Sequence, residues 1–150
     1  MNTLSVKLTR AGAVLPQRAT DGSAGYDLSA AVDAPVAVKH GQIARIPTGI
    51  AIALEPGTVA LVFGRSGLGF KHGVVPANAV GVIDSDYRGE ITVALTCQLE
   101  EGYTVEPGER IAQMVIVPAL TPQLTLCEEL DDTTRGEGGF GSTGRGVIAN

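Results

Sequence analysis

The 150-residue sequence is short of positive charge and contains no long apolar run. Its 11 Lys and Arg residues stand against 16 Asp and Glu residues, which gives a formal net charge of −5. Binding to polymeric nucleic acid depends on many basic side chains at the phosphates, so this charge argues against such a partner. No stretch approaches the roughly 20 apolar residues that span a bilayer, and the start lacks the apolar stretch of a signal peptide. We therefore expect a cytoplasmic protein that binds neither nucleic acid polymers nor membranes.

Cysteine and histidine are also scarce. Cys97 and Cys127 lie far apart in strand-like apolar surroundings, and neither belongs to a CxxC pair. We predict two reduced, mostly buried thiols rather than a disulfide or a metal site. His40 and His72 each precede a glycine, with no ligand-like spacing between them, so we expect both in loops.

The pattern of apolar residues predicts one all-β domain. The chain has the length of a single domain, and its 20 glycines and 8 prolines leave few segments long enough for a helix. Apolar residues alternate over 91–99, as in a strand with one buried face. Segments 48–54 and 58–63 are apolar and joined by a Glu-Pro-Gly turn, as in a hairpin, and 110–117 is nearly all apolar, as in a strand covered on both faces. These features predict a sandwich, jelly roll or barrel with at most one short helix, near 66–71.

Composition changes near the C-terminus. Beyond Leu130 the chain becomes rich in glycine, and RGEGGFGSTG at 135–144 sets Phe140 among glycines. We predict a β domain over 1–134 and a flexible Gly-rich arm over 135–150. The arm contains a GxGxxG match, but too few residues follow it to complete the βαβ unit that a dinucleotide site requires.

The residues of this arm suit a phosphorylated ligand that carries a flat base. Glycines let successive N–H groups face an anion, Ser142 and Thr143 add hydroxyl donors, and Arg135 offers a bidentate fork. Phe140 could stack on the base. The alternative is a disordered tail, which is the commoner fate of such a composition.

Two polar segments elsewhere in the chain contain further candidates. GRSG at 64–67 directly follows an apolar strand and could present N–H groups and a hydroxyl to phosphate, or form an ordinary turn. In GVIDSDYRGEI at 81–91, Asp84 or Asp86 could act as a general base, although acidic residues in turns are usually only solvated. Upstream, the amide of Asn78 lies in a hairpin-like stretch and offers both donors and an acceptor, which suits the edge of a nucleobase.

Five segments, in this order, resemble the motifs of the trimeric deoxyuridine triphosphatases, the dUTPases. They are AGYDLSA at 24–30, GRSGLGFKHG at 64–73, GVIDSDYRGEI at 81–91, GERIAQ at 108–113 and RGEGGFGSTG at 135–144. A single motif would be weak, whereas five in register over most of the chain make the match specific.

The resemblance implies a jelly-roll-like (β-clip) fold and a homotrimer. Its active sites would lie at subunit boundaries, where the C-terminal arm of one chain completes a site on another. The implied reaction is hydrolysis of dUTP to dUMP and pyrophosphate with Mg²⁺, by attack of water on the α-phosphorus. Such a reaction limits uracil in DNA and supplies dUMP for dTMP synthesis.

The resemblance also implies roles for individual residues. Asp84 resembles the aspartate that activates the attacking water, Tyr87 the tyrosine beneath the deoxyribose, and Asn78 the reader of uracil. Phe140 resembles the arm phenylalanine that covers uracil. Asp27 matches an aspartate near the metal, which we expect to act through water.

The remaining matches lie on the phosphate side of the family's site. They are Gln113, which we place with Asp84 in catalysis, and the binding residues Arg65, Ser66, Gly67, Arg135, Gly141, Ser142 and Thr143. Arg110 looks structural, as a buried partner for a carboxylate. Pro76 departs from the pattern, because we expect an aliphatic residue there, and it can alter the hydrogen bonding of the base-binding hairpin.

Two other functions stay open. A dCTP deaminase-like enzyme shares the fold but acts on the base; its chain is usually longer, and GFGSTG in the arm favours the triphosphatase. A non-catalytic nucleotide-binding regulator on the same fold would not need a water-activating carboxylate such as Asp84.

Overall fold

The structure, a computed structural model, describes residues 3–142, and its regular elements are almost all β. In this range it has the strands β1 (Ser5–Leu8), β2 (Tyr26–Ser29), β3 (Val36–Val38), β4 (Ala44–Pro47), β5 (Ile50–Ala53), β6 (Thr58–Gly64), β7 (Val74–Pro76), β8 (Gly81–Ile83), β9 (Thr92–Cys97), β10 (Tyr103–Val105) and β11 (Arg110–Pro118), and the helix α1 (Ser66–His72). The predicted all-β fold with one short helix is confirmed. Among the described residues, α1 is too short to cross a membrane, and no longer apolar helix is present.

A four-stranded sheet with the order β2-β11-β6-β8 supports most of the candidate site. β11 and β6 form its longest antiparallel pair and are rich in Val and Ile, which favour the pleated conformation. β2 lies on the other side of β11, so Gln113 has Asp27 and Phe63 as its two cross-strand neighbours.

Three smaller sheets, β4-β9-β7, β1-β5 and β10-β3, complete the fold around an aliphatic core. Along β9, Val93 and Leu95 are buried while Thr92 is exposed, which confirms a strand with one buried face. Leu99 lies beyond the end of β9 and is exposed, so the predicted buried face does not extend to it. The largest side chains of the core belong to Leu28, Ile46, Ile50, Ile91, Leu95, Ile111 and Met114.

The apolar segments 48–54 and 58–63 do not form the predicted hairpin. The turn between them exists, because the N–H of Thr58 donates to the carbonyl of Glu55 at 3.2 Å and Gly57 adopts a φ of 80°. However, β5 pairs with β1, while β6 pairs with β11 and β8. Since both edges of β6 are occupied, the chain passes at this turn from one sheet into another.

Three local predictions are corrected by the structure. Both cysteines are free and Cys97 is buried, but Cys127 is exposed because it lies beyond the last strand. His72 is the last residue of α1 rather than a loop residue. In β11, Ile111, Ala112 and Met114 are buried, whereas Arg110 is exposed and the second half is only half-buried, so cover on both faces holds only near Ile111 and Ala112.

The C-terminal segment, residues 119–142, forms neither helix nor strand. Its four leucines are almost fully exposed: Leu120 (92%), Leu124 (90%), Leu126 (104%) and Leu130 (87%). Burying a leucine side chain is worth about 1.5–3 kcal/mol. Large exposed apolar patches are a common feature of protein interaction surfaces.

Candidate active site

Three neighbouring strands bring polar side chains together at one end of the four-stranded sheet. Asp27 of β2 lies directly opposite Gln113 of β11, so the two side chains point to the same face. Arg65 follows the end of β6, on the other side of β11. With Ser66 and Gly67, these residues line a cavity of about 380 Å³, here called the Gln113 cavity.

The side-chain amide of Gln113 is fixed inside this cavity. Its Nε2 donates to the carbonyl oxygen of Gly64 at 3.1 Å. A Cβ placed on Gly25 would lie 2.9 Å from Oε1 of Gln113, which is closer than real Cβ contacts allow. Gly25, within the first motif, is therefore a packing residue of the site that the sequence analysis did not single out.

Asp27 is held by two arginines. Nε of Arg65 donates to its Oδ1 at 3.0 Å, and Nη1 of Arg110 donates to its Oδ2 at 2.9 Å. Nη1 of Arg65 also donates to the carbonyl oxygen of Arg110 at 3.2 Å. Arg110 thus pairs with a carboxylate as predicted, but its side chain is 55% exposed. The prediction that it is buried is wrong, because Arg110 is the first residue of β11 and lies at the rim of the sheet.

The start of α1 borders the same cavity. Arg65 is the N-cap residue and makes no side-chain cap, and the first turn contains no acidic residue. The first N–H groups of a helix have no intrahelical partner, so those of Ser66 and Gly67 are open to water or an anion. A Cβ on Gly67 would meet nothing within 4 Å, which leaves room for a ligand to approach the backbone.

Residues 84–90, here called the Asp84 loop, follow β8 and are closed by their own hydrogen bonds. The N–H of Tyr87 donates to the carbonyl of Asp84 at 3.1 Å, and the hydroxyl of Tyr87 donates to the carbonyl of Glu90 at 3.1 Å. Asp84 is exposed, and Tyr87 is 45% exposed. Together with Glu90 they line a second cavity, of about 230 Å³.

Residues that the sequence analysis missed hold this loop in place. A Cβ on Gly89 would overlap the ring and hydroxyl of Tyr87, so only glycine lets the ring lie over this backbone. The Glu90 carboxylate accepts hydrogen bonds from Nε and Nη2 of Arg10, at 2.8 and 2.7 Å, and from the N–H of Gly49 at 2.8 Å. The bonds from Arg10, above all, lower the pKa of the Glu90 carboxyl. Arg10 lies 80 residues from Glu90, and no local pattern indicated the pair.

Asn78 lies at a tight, exposed turn between β7 and β8. Its Nδ2 donates to the carbonyl of Val80 at 3.4 Å, and the N–H of Ala79 donates to the carbonyl of Pro76 at 3.1 Å. Ala79 adopts a φ of 62°, in the left-handed region that non-glycine residues seldom occupy. Because β7 and β8 belong to different sheets, the predicted hairpin-like stretch is a turn between sheets.

Pro76 fits its position because β7 is the outer strand of the β4-β9-β7 sheet. The N–H of Ala77 donates to the carbonyl of Ala94 at 2.8 Å, so the register places Pro76 where a backbone N–H would point away from β9. The β7–β9 ladder therefore keeps its hydrogen bonds. The proline ring packs against Gly64, where a Cβ would lie 2.9 Å from Cδ of Pro76.

The Gln113 cavity and the Asp84 loop lie toward opposite ends of β6. Asp84 follows Ile83, which pairs with Ala60 near the start of β6, whereas Arg65 follows the end of the same strand. A strand rises about 3.3 Å per residue, which separates the two groups by roughly 15–20 Å. The structure thus does not bring Asp84 and Gln113 together within one chain.

The described part of the arm, residues 135–142, forms hydrogen bonds with nearby residues of the arm. For example, Nε of Arg135 donates at 2.8 Å to a backbone carbonyl three residues further on. Phe140 is fully exposed, and Gly141 and Ser142 are exposed as well. None of the arm residues 135–142 lines the Gln113 cavity or the cavity at the Asp84 loop. Thr143 lies outside the described residues.

A metal cage made of protein side chains is absent from residues 3–142, which contain no suitable group of three or more His, Cys, Asp and Glu side chains. Asp27 supplies one mostly buried carboxylate at the Gln113 cavity. Mg²⁺ commonly binds through one or two carboxylates together with phosphates and waters. This donor set therefore fits an ion that is held mostly by a phosphorylated ligand.

Comparison with known proteins gives one consistent family. The dUTPase family profile matches residues 11–144. The chain is 51% identical over 149 residues to a deoxyuridine 5'-triphosphate nucleotidohydrolase of Desulfitobacterium hafniense, covering 96% of this chain and 99% of that protein. A counterpart from Hahella chejuensis is 53% identical over 131 residues, covering 87% of this chain and 86% of that protein.

Solved structures agree with this result. A variant dUTPase of Staphylococcus bacteriophage 80alpha with dUpNHpp gives a TM-score of 0.86 at 32% identity, covering 97% of this chain and 100% of that one. A variant dUTPase from phage phi11 of S. aureus, described with a structural Mg(II) ion, gives a TM-score of 0.78 at 28% identity, covering 85% and 98%.

Proposed function

Since the chain belongs to the dUTPase family and hydrolyses dUTP to dUMP and pyrophosphate, we propose that each active site is assembled from several copies of the chain. One copy contributes the Gln113 cavity and another contributes the Asp84 loop. An arm, residues 135–150, closes over the bound nucleotide.

The observation that carries this proposal is the distance between the two groups of candidate residues. Asp84 must reach the α-phosphorus while Gln113 reaches the same short row of phosphates. A separation of roughly 15–20 Å along β6 is too large for both contacts within one chain. A neighbouring copy can supply the missing half, since contacts between different surfaces of identical chains close into rings.

Asp84 is the proposed general base. Its exposed carboxylate accepts a proton from the water that attacks the α-phosphorus, and pyrophosphate leaves with the electrons of the broken P–O bond. Closure of the Asp84 loop by the N–H of Tyr87 keeps this carboxylate in position. The amide of Gln113, fixed by Gly64, orients the phosphates for in-line attack.

Tyr87 and Asn78 account for nucleoside selection in this proposal. The Tyr87 ring packs beneath the deoxyribose, where the 2′-hydroxyl of UTP would clash. Asn78, presented on an exposed turn with backbone groups nearby, pairs with the edge of uracil. Cytosine reverses donor and acceptor at two positions, and leaving buried polar groups unpaired can reject such an analogue by about 10⁴-fold.

Charged and backbone donors bind the phosphates in this proposal. Arg65 and the N–H groups of Ser66 and Gly67 face the Gln113 cavity from the body of the protein. The arm adds Arg135, Gly141, Ser142 and Thr143 at the phosphates and Phe140 over the uracil. The exposure of Phe140 supports a ring that becomes buried only when nucleotide is present.

Mg²⁺ is the proposed cofactor. When bound, the ion would offset part of the negative charge of the phosphates. Asp27 is the proposed contact, and because its two oxygens already accept hydrogen bonds from arginines, we assign that contact to a bridging water. The structural Mg(II) ion described for a phage phi11 dUTPase supports Mg²⁺ binding within this family.

A homotrimer is the proposed assembly. The four exposed leucines of residues 119–142 support it, because they form an apolar segment that its own chain leaves uncovered. A cytoplasmic location belongs to the same proposal and is supported by the two free cysteines.

The decisive assay compares pyrophosphate release from dUTP, dTTP, dCTP and UTP with and without Mg²⁺. We expect pyrophosphate release from dUTP and not from the other three nucleotides, and faster release when Mg²⁺ is present. Ammonia release from dCTP would instead indicate a deaminase, and tight nucleotide binding without turnover would indicate a regulator.

A further inference from the structure

Glu90 has an unusually complete set of donors for a residue with no part in the proposed chemistry. Both oxygens of its carboxylate are bound by the guanidinium of Arg10, at 2.8 and 2.7 Å, and Oε1 also accepts the N–H of Gly49 at 2.8 Å. The side chain of Glu90 is 22% exposed and that of Arg10 is 44% exposed. A bidentate pair of this kind fixes orientation as well as distance.

The backbone of Glu90 in turn supports the Asp84 loop. Its carbonyl accepts the hydroxyl of Tyr87 at 3.1 Å, and the N–H of Tyr87 donates to the carbonyl of Asp84 at 3.1 Å. A movement of Glu90 would therefore be passed to Tyr87 and then to Asp84.

The bonds beyond the loop do not replace this support. Thr48 donates through Oγ1 to the carbonyl of Ile91 at 2.6 Å, and the N–H of Ile91 donates to the carbonyl of Ile50 at 2.8 Å. They hold the start of the next strand. Arg10 and Gly49 orient the Glu90 side chain through their hydrogen bonds to its carboxylate.

The position of Arg10 is itself built into the fold. Gly49 has a φ of 70°, and a Cβ there would overlap Ala13 and lie 2.9 Å from Cγ of Arg10. The N–H of Thr9 donates to the carbonyl of Gly49 at 2.7 Å. The stem of Arg10 therefore packs on a glycine that no other residue can replace without strain.

We infer that Arg10 is a positioning residue for dUTP hydrolysis, which acts through Glu90 to hold Asp84 and Tyr87 in their working geometry. This inference rests on the roles proposed for those two residues. A partly exposed ion pair adds little to stability. Misplacing a catalytic group by about 1 Å, however, can cost as much as 10²-fold in rate.

The test is steady-state hydrolysis of dUTP and UTP by the full-length Arg10→Gln enzyme. We expect kcat for dUTP to fall by about tenfold. We also expect the preference for dUTP over UTP to fall by about fivefold, because Tyr87 is displaced together with Asp84. Arg10→Lys should lie between Arg10→Gln and wild type, since an ammonium cannot form the bidentate fork.

Arg45→Gln is the matched control. It removes the same charge from an exposed position on β4 and should leave kcat and the dUTP preference unchanged. If Arg10 acts through Glu90, the double variant Arg10→Gln/Glu90→Gln should lose no more activity than the more impaired single variant.

Wild-type kcat and wild-type dUTP preference in Arg10→Gln would overturn the inference, and so would fully additive losses in the double variant. Should Arg10→Gln fail to fold, Arg10→Lys decides: reduced dUTP preference supports the inference and unchanged preference overturns it. Failure of the proposed function is distinguishable, because it would appear as undiminished turnover in Asp84→Asn.

Discussion

The β body, which contains strands β1–β11, and the C-terminal segment of this chain differ in the exposure of their apolar side chains. In the body, aliphatic side chains such as those of Ile46, Leu95 and Met114 are at most 1% exposed. In residues 119–142 the leucines and Phe140 stand in solvent. This exposure is consistent with the proposed assembly, in which another copy covers the segment.

The same two regions divide the proposed chemistry. In the body, hydrogen bonds from distant parts of the chain hold Gln113 directly and hold the Asp84 loop through Glu90, whereas the described arm residues bond to their neighbours. We therefore assign precise positioning to the body and closure over the substrate to the segment. The experiments below challenge this division, beginning with the largest expected effect.

Removal of the proposed general base tests the body's part. Asp84→Asn should lower kcat by about 10³-fold, because the amide cannot accept the proton of the attacking water. Affinity for the analogue dUpNHpp, measured by calorimetry, should stay close to wild type. Undiminished turnover would remove Asp84 from the mechanism.

Removal of the arm tests the segment's part. Deleting residues 135–150 should leave a folded oligomer, because β1–β11 and the core lie before this range. Turnover should fall by about 10²-fold, since the arm donors and the cover over uracil are lost. Sedimentation and pyrophosphate release measure the two properties separately, and full activity without the arm would show that closure is unnecessary.

Local patterns predicted the elements but not their partners. Alternation identified β9, and the polar GRSG stretch after an apolar strand marked the start of α1. Pairing of β6 with β8 and β11 depends on contacts across the whole chain, which a turn signal after β5 cannot reveal. The expected hairpin was wrong for this reason.

For the candidate site as well, local patterns identified some residues and missed others. The polar segment at 81–91 marked Asp84 as a candidate, whereas the roles of Tyr87 and Gln113 came from the family resemblance of the motifs that contain them. Arg10 and Gly49 act through packing and a hydrogen-bonded pair that spans 80 residues, so no spacing in the sequence marks them. The exposure of Arg110 and Cys127 likewise depends on where the strands begin and end.

The exposed leucines of the C-terminal segment provide a test with a smaller expected effect, which asks whether they contribute to assembly. Leu124→Ser with Leu126→Ser should raise the dissociation constant of the assembly, because each leucine contributes about 2 kcal/mol when it is covered. Thr125→Ser, between them, is the control and should assemble as wild type. Sedimentation at falling protein concentration measures both, and unchanged assembly of the double variant would show that these leucines are not covered by a partner.

The smallest expected effect concerns pH and the support of the Asp84 loop. Bonds from Arg10 lower the pKa of the Glu90 carboxyl beneath its ordinary value of 4.5. The ionised pair therefore stabilises the fold above about pH 4.5, and this contribution is lost as the pH falls through the lowered pKa.

The free energy of unfolding of wild type should accordingly exceed that of Arg10→Gln above about pH 4.5, with the difference shrinking at lower pH. Chemical denaturation at one fixed protein concentration measures it, with Arg45→Gln as the reference for loss of charge alone. If the difference in the free energy of unfolding between wild type and Arg10→Gln did not change with pH, Arg10 would not act through the Glu90 carboxylate.

The central claim, that one site takes its parts from different copies, is tested most directly by mixing two inactive proteins. Full-length Asp84→Asn and the enzyme lacking residues 135–150 are co-expressed with different tags, and the mixed trimers are isolated and assayed for pyrophosphate release. Each mixed trimer contains one or two copies of each protein, so shared sites predict about a third of wild-type activity, because a site needs an intact Asp84 from one copy and an arm from another. Mixed trimers with no activity above the parent proteins would contradict the account.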